Sequence, residues 1–317
     1  MSLPDIYAVN GLHPFYMQAL AKRFTVHVEP QNSDPTGFVA LAPRLVGLAA
    51  SGESKVPGSL MAQLPALKVV SVFGVGYDGV DIASARERGI AVTHTPGVLS
   101  DDVADLALAL MLAVARSIPR ADQHVRTGRW PQGGLPLGRK VSGARLGIVG
   151  LGRIGQAIAQ RAAAFGMSIA YTTRTEKPDT GFTYFPNAQA LAAAVDFLVI
   201  ITPGGAGTRH LINTEVLAAL GSEGYLINVA RGSVVDEDAL VAALTAGSIA
   251  GAGLDVYANE PHVPEALWTL PNVVLTPHMA SATVQTRQAM ADLAFANMVA
   301  GVEGQPVRTM VPELQSA

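Results

Sequence analysis

An arginine, a glutamate and a histidine each follow a short apolar run in the second half of this chain. Arg231 stands in Asn228-Val-Ala-Arg-Gly-Ser-Val-Val-Asp236, Glu260 in Gly253-Leu-Asp-Val-Tyr-Ala-Asn-Glu-Pro261, and His278 in Leu275-Thr-Pro-His-Met-Ala-Ser-Ala-Thr283. Together they are the parts needed to reduce a 2-oxo acid by hydride. Arginine carries a permanent charge suited to holding the carboxylate and polarising the carbonyl. Histidine can donate a proton to the carbonyl oxygen near neutral pH, and a carboxylate on its other ring nitrogen favours the imidazolium. The expected roles are therefore substrate binding for Arg231, proton donation and substrate contact for His278, and support of the imidazole for Glu260. In α/β proteins, ligands collect at the C-terminal ends of strands, where all three residues stand.

Hydride needs a carrier, and Arg145-Leu-Gly-Ile-Val-Gly-Leu-Gly-Arg-Ile-Gly155 is built to hold one. The run joins an apolar strand to a helix start through glycines spaced G-x-G-x-x-G. Gly150 permits the tight turn, Gly152 lets backbone approach a pyrophosphate, and Gly155 lets the helix pack closely on the sheet. Main-chain groups of Leu151, Arg153 and Ile154 complete this anion-binding start of a helix. The expected cofactor is a dinucleotide. An NAD-binding unit places an acid about 20 residues beyond the glycines to meet the adenosine ribose. Here the second strand ends Tyr171-Thr172-Thr173-Arg174-Thr175, with hydroxyls and a guanidinium in place of a carboxylate. Arginine matches a 2′-phosphate, so NADP(H) is the preferred cofactor, with Thr172, Thr173, Arg174 and Thr175 as its contacts. Glu176 and Asp179 lie a little further on and keep NAD(H) possible.

These segments need a scaffold of parallel strands and covering helices, and the chain supplies one from end to end. Short runs rich in β-branched residues alternate with alanine-rich stretches, the pattern of an α/β protein. In the first third, strands are expected at Ile6–Val9, Thr25–Val28, Val46–Ala49, Val69–Phe73 and Ile90–Thr93, with helices at His13–Lys22 and Asp81–Arg88. The second set begins at Leu146 and continues through Ser168–Thr172, Phe197–Ile201, Tyr225–Val229, Ala252–Val256 and Val273–Thr276, a full dinucleotide fold. Asp236 followed by acids, with Gly247 beyond, brackets one helix. Asp101–Arg116 is apolar nearly all round, as for an element buried between two domains. The last helix, Thr283–Glu303, is long enough to return to the first domain. The expected architecture is α/β, with two Rossmann-like or flavodoxin-like domains of parallel sheet. Residues 1–99 plus 286–317 form a discontinuous substrate-binding domain, and residues 100–285 a dinucleotide-binding domain.

Composition sets the outer bounds. The chain has 317 residues, 49% hydrophobic and 15% charged, enough apolar material for two cores. A net charge of -3 without basic runs offers no broad attraction for nucleic acid or an anionic membrane. The zero cysteine count removes disulfides, thiolate nucleophiles and cysteine metal sites. The N-terminal residues show no leader pattern and no apolar run reaches spanning length, so a cytoplasmic location is expected. Asp78 and Asp81 have no further acids or histidines clustered near them in sequence, so no metal is expected. Of the seven histidines only His278 is read as functional; His94 is read as mainly structural, and Trp130 as a packing or dimer-contact residue.

The combination resembles the D-isomer-specific 2-hydroxyacid dehydrogenase family, especially its glyoxylate/hydroxypyruvate reductase branch, over nearly the whole chain. The matching segments are Phe73-Gly-Val-Gly-Tyr-Asp78, Thr95-Pro-Gly-Val-Leu-Ser-Asp-Asp-Val-Ala-Asp105, the glycine fingerprint and the three catalytic segments in family order. The resemblance implies an active site in the interdomain cleft and substrate carboxylate binding by the N–H groups of Val75 and Gly76. It further implies Asp255 near the nicotinamide carboxamide, cofactor contacts from Thr202, Pro203, Val229, Ala230 and Ala280, and a homodimer formed through the nucleotide domain. Thr202-Pro-Gly-Gly-Ala-Gly-Thr208 departs from the family's commoner proline-leucine-threonine run, and Asp105 replaces the common glutamate. Glu260 sets the chain apart from the formate dehydrogenase branch, which uses glutamine. With Ala317 as the last residue, the regulatory domain that many phosphoglycerate dehydrogenases append is not expected. The implied activity is NADP(H)-dependent reduction of a glyoxylate- or hydroxypyruvate-type 2-oxo acid to the D-2-hydroxy acid. The alternatives are an NAD-linked D-lactate or phosphoglycerate-type dehydrogenase and a nucleotide-sensing protein like the family's corepressors.

Overall fold

The computed structural model describes residues 3–315 and divides into two compact units, Met1–Leu99 with Ala282–Ala317, and Ser100–Ser281. Met1, Ser2, Ser316 and Ala317, which the expected first domain includes, lie outside the described residues.

In the first unit the β-branched runs form β1 (Asp5–Ala8), β2 (Thr25–Val28), β3 (Leu45–Ser51), β4 (Val69–Phe73) and β5 (Ala91–Thr93). They make one parallel sheet in the order β2-β1-β3-β4-β5, the flavodoxin-like order. Strands β1 and β4 are buried along their whole length, which explains why they read as continuous apolar runs rather than alternating ones. The long helix Val284–Val302 lies on this sheet, capped by the Thr283 hydroxyl on the Thr286 N–H at 3.2 Å. Small residues bring it close: a Cβ on Gly301 would stand 2.5 Å from the Val69 Cβ. The Ser71 hydroxyl donates to the Ala294 carbonyl at 2.9 Å, so the one polar side chain of β4 is satisfied where it is buried.

The second unit holds β6 (Arg145–Val149), β7 (Ser168–Thr172), β8 (Thr183–Tyr184), β9 (Phe197–Ile200), β10 (Tyr225–Asn228), β11 (Gly251–Leu254) and β12 (Val273–Leu275). Their order is β12-β11-β10-β9-β6-β7-β8, parallel throughout. Counted from β6, this is the 3-2-1-4-5-6 order of a dinucleotide fold with a seventh strand added. Strand β8 is an addition to the expected set; two residues, threonine and tyrosine, are too short and too polar to announce a strand. The order reverses between β6 and β9, and the end of β6 is the glycine turn.

Helix Glu237–Ala246 starts on the Asp236 carboxylate, which accepts from the Ala239 N–H at 3.1 Å, and ends at Gly247 with φ +68°. Helix Ser100–Ala115 packs on helix Arg153–Ala164 and on β10 and β11. Gly251 and Gly253 make room for it beside Val114 and Leu110. One edge of that helix is polar: Asp101 and Asp105 meet Arg161 at 3.0 and 2.5 Å, exposed pairs worth under about 1 kcal/mol each. The apolar packing of Leu198, Ile200, Leu226, Leu254 and their neighbours carries the fold, at about 1.5–3 kcal/mol for each fully buried large side chain. Among the described residues no helix is long and apolar enough to cross a membrane.

Candidate active site

The glycine turn follows from what each glycine meets. Gly150 has φ +103°, and a Cβ there would stand 2.9 Å from the Thr202 nitrogen, so the ends of β6 and β9 come together at this point. A Cβ on Gly155 would collide with the Gly150 carbonyl, so the helix sits directly against the turn. Gly152 is different: a Cβ there would meet nothing within 4 Å. It is also the cap of helix Arg153–Ala164 and lends no side chain to its first N–H groups. The chain's own packing does not demand glycine at 152, whereas close approach of a phosphate does. Leu151 is buried, Arg153 exposed and Ile154 half-buried. The site fits a pyrophosphate.

Beside the turn, the Gly150 N–H donates to the Thr172 carbonyl at 3.0 Å. Thr172 is buried in β7, and Thr173 is the first partly exposed residue past the strand; its hydroxyl donates to the Thr175 carbonyl at 2.7 Å. Arg174 is exposed, and among the described residues its guanidinium has no hydrogen-bond or ion-pair partner. Glu176 and Asp179 are exposed beyond it. One basic residue escaped the sequence reading. Lys177 extends its ammonium to the Leu151 carbonyl in the glycine turn at 2.8 Å. The signal is a second cation three residues past the arginine. On the other side, Thr202 and Pro203 follow β9, and the Thr208 hydroxyl donates to the Pro203 carbonyl at 2.8 Å.

The three segments expected to be catalytic follow the neighbouring strands β10, β11 and β12. Val229 and Ala230 leave β10 buried, and the Ala230 N–H donates to the Asn228 side chain at 3.1 Å. Arg231 follows, half-buried, its guanidinium donating to the Ala230 carbonyl at 2.7 Å. A Cβ on the next residue, Gly232, would overlap the Tyr257 carbonyl, so this glycine is what lets the β11 loop approach the arginine. Within that loop the Tyr257 N–H donates to Glu260 Oε1 at 2.9 Å, which turns Oε2 toward the histidine. Glu260 Oε2 lies 2.6 Å from His278 Nδ1. Burial raises the Glu260 pKa, but the His278 hydrogen bond, the Tyr257 N–H and the charges of His278 and Arg231 outweigh it and hold the carboxyl below its ordinary value.

His278 itself has φ +50°, a left-handed conformation that few non-glycine residues take. Its loop is held by Asp255, which is fully buried at the end of β11. Asp255 accepts from the Thr276 hydroxyl at 2.6 Å, the Met279 N–H at 2.8 Å and the Ala280 N–H at 2.9 Å. Its carbonyl accepts from the His278 N–H at 2.8 Å. Burial nevertheless keeps the Asp255 pKa above its ordinary value, with those donors and His278 opposing. Nothing in the sequence announces this clasp, its Thr276 donor, or the Tyr257 N–H on Glu260.

In the other unit, Val75 and Gly76 are half-buried in the turn after β4. The Gly74 N–H donates to the Thr95 hydroxyl at 3.1 Å, and His94 Nδ1 lies 2.9 Å from the Val75 carbonyl. The His94 ring also stands edge-on to Tyr77, at 5.2 Å between centroids. Its hydrogen bond and ring contact brace this turn.

A parallel dinucleotide sheet with a phosphate-binding glycine turn and an Arg, Glu, His set at its strand ends defines a nicotinamide-dependent oxidoreductase. Residues 108–280 match the model of the D-isomer specific 2-hydroxyacid dehydrogenase NAD binding domain, and the chain belongs to that family. It is 46% identical to a 2-ketogluconate reductase of Gluconobacter oxydans over 94% of this chain and 96% of the relative. It is 47% identical to a hydroxyphenylpyruvate reductase of Plectranthus scutellarioides over 93% and 94% of the two chains. Among solved structures, an NADPH-dependent glyoxylate/hydroxypyruvate reductase of Sinorhizobium meliloti, in complex with NADP and malonate, superposes with a TM-score of 0.91 at 48% identity, covering 99% of this chain and 98% of that one.

Proposed function

We propose that this chain reduces small 2-oxo acids of the glyoxylate and hydroxypyruvate type to D-2-hydroxy acids with NADPH. The observation that carries this reading is the 2.6 Å His278–Glu260 pair, set within range of the Arg231 charge at the strand ends of the dinucleotide sheet. When bound, the reduced nicotinamide supplies the hydride. Arg231 holds the substrate carboxylate and polarises its carbonyl. His278 presents Nε2 to the carbonyl oxygen and gives it a proton, while Glu260 on Nδ1 keeps the ring oriented and favours its charged form. Asp255, through its clasp on the 276–280 loop, positions the histidine beside the nicotinamide end of the site. The unit Ser100–Ser281 acts as the dinucleotide-binding domain and residues 1–99 with 282–317 as the substrate domain. The return falls at 282 rather than the expected 286 because helix Val284–Val302 belongs whole to the first sheet. Val75 and Gly76 of the substrate domain contribute N–H donors for the carboxylate.

The preference for NADP(H) rests on Arg174, exposed and unpaired at the end of β7 where an NAD enzyme places an acid. The NADP-bound Sinorhizobium structure supports the same preference. The relatives named above are reductases, which favours turnover over the corepressor-like alternative. We also assign a cytoplasmic homodimer. No side chain of helix Ile118–Arg126 is buried, and the segment from 118 to 137 exposes Ile118, Val125, Trp130 and Leu137, apolar residues that a contact with a second copy would cover.

The test is turnover of the pure protein with NADPH and, in separate assays, glyoxylate, hydroxypyruvate, phenylpyruvate and 2-ketogluconate, followed by loss of NADPH absorbance and chiral analysis of the product. Absence of NADPH oxidation with every acid, or formation of the L-isomer, overturns the proposal.

A further inference from the structure

Lys177 is exposed by its surface area, yet its position is built rather than adventitious. The Tyr171 phenol, buried in β7, accepts from the Lys177 N–H at 2.7 Å and donates to the Lys177 carbonyl at 2.9 Å. The Thr180 hydroxyl donates to the same carbonyl at 3.1 Å. The Tyr184 hydroxyl donates to the Thr173 carbonyl at 3.4 Å, at the front of the loop. With the main chain pinned from beneath, the side chain runs back to the glycine turn and donates to the Leu151 carbonyl at 2.8 Å. The loop that carries Arg174 is thus tied at its far end to the turn that carries Gly152. A solvated surface lysine needs none of these supports.

An ammonium has three donors and the Leu151 carbonyl takes one. The net charge of -3 attracts no anion from a distance, so phosphate affinity has to come from cations fixed close by. We propose that Lys177 is a specificity-determining residue for the phosphorylated cofactor: its ammonium straps the Arg174 loop to the glycine turn and adds a second fixed positive charge to the adenosine-phosphate subsite. The inference rests on the NADP(H) reading above. Lys177 takes no part in hydride or proton transfer, so its effect falls on binding and not on the chemical step.

The experiment measures dissociation constants of the full-length protein for NADPH and NADH by nicotinamide fluorescence, and for 2′,5′-ADP by calorimetry, in Lys177→Met, Lys177→Arg and Arg174→Ala. Lys177→Met weakens NADPH and 2′,5′-ADP about tenfold and NADH about threefold or less, the scale of one lost charge-assisted contact. Lys177→Arg keeps the charge and the reach, and restores NADPH to within about threefold of the parent. With Lys177→Met the NADPH constant also loses part of its dependence on salt. Equal losses for NADPH and NADH make the lysine a loop anchor without discrimination and overturn the inference, as does unchanged binding. If Arg174→Ala shifts the NADPH to NADH ratio and Lys177→Met does not, only this inference falls. If neither variant shifts it, the NADP(H) reading itself is wrong.

Discussion

At the scale of single residues, the site is built on position: Glu260 holds His278 at 2.6 Å, and Arg231 stands within electrostatic range of Glu260. His278→Gln keeps a hydrogen-bonding side chain but removes the acid, so kcat for reduction is expected to fall about 10²–10⁴-fold with NADPH affinity retained. Steady-state kinetics beside a cofactor titration check this, and a loss smaller than tenfold would remove the histidine from the chemical step. Glu260→Gln removes the negative charge that favours the imidazolium, so the alkaline limb of the kcat/KM profile for reduction moves to lower pH. A profile that keeps its alkaline limb contradicts the assigned role. The same carboxyl has a stability consequence. Its pKa in the fold lies below the ordinary 4.5, so its ionised form contributes stability that is complete above that value and is lost as pH falls through the lowered one. Acid titration of Glu260→Gln therefore shows a shallower loss of stability below about pH 4.5 than the parent.

At the scale of elements, the glycine turn separates two demands that the same residue type serves. Gly155 is glycine because the helix lies against the Gly150 carbonyl, and Gly152 is glycine although nothing in the chain crowds it. Gly155→Ala is expected to destabilise the fold by about 1–3 kcal/mol, since backbone on both sides must shift. Gly152→Ala leaves stability within about 0.5 kcal/mol and weakens dinucleotide binding instead. Urea denaturation and a fluorescence titration on both variants distinguish these outcomes; equal destabilisation would show that Gly152 serves packing alone. Gly232 belongs with Gly155: it admits the Tyr257 loop and so lets the Arg231 and Glu260 segments meet.

At the scale of the whole molecule, helix Ile118–Arg126 has no buried side chain, and Leu137 beyond it is 102% exposed. The proposed occupant of this surface is a second copy of the chain. Sedimentation of the parent at micromolar concentration is expected to give twice the 32.9 kDa mass, and the double variant Trp130→Asp, Leu137→Asp to give the monomer. A parent that sediments as a monomer, or a variant that stays dimeric, moves the interface elsewhere or removes it.

Much of this was readable in the chain. Runs such as Phe197–Ile200 and Leu146–Val149 declare buried parallel strands because both of their faces must be apolar, and glycine spacing declares a phosphate turn because no other residue allows those backbone approaches. Residue type likewise made Arg231, Glu260 and His278 candidates, since few side chains can do their work. The Asp255 clasp and the Lys177 strap were not legible, because each joins segments far apart in sequence that meet only where the strands place them. The Tyr257 N–H on Glu260, three residues apart, depends on the turn of an irregular loop, and β8 exists only by pairing with β7. Local sequence determines what a segment is and which chemistry it carries; the order of the strands decides which segments touch. That order placed the histidine 2.6 Å from the glutamate and the lysine on the glycine turn, because hydrogen-bond partners 18 and 26 residues apart are chosen by packing and not by spacing.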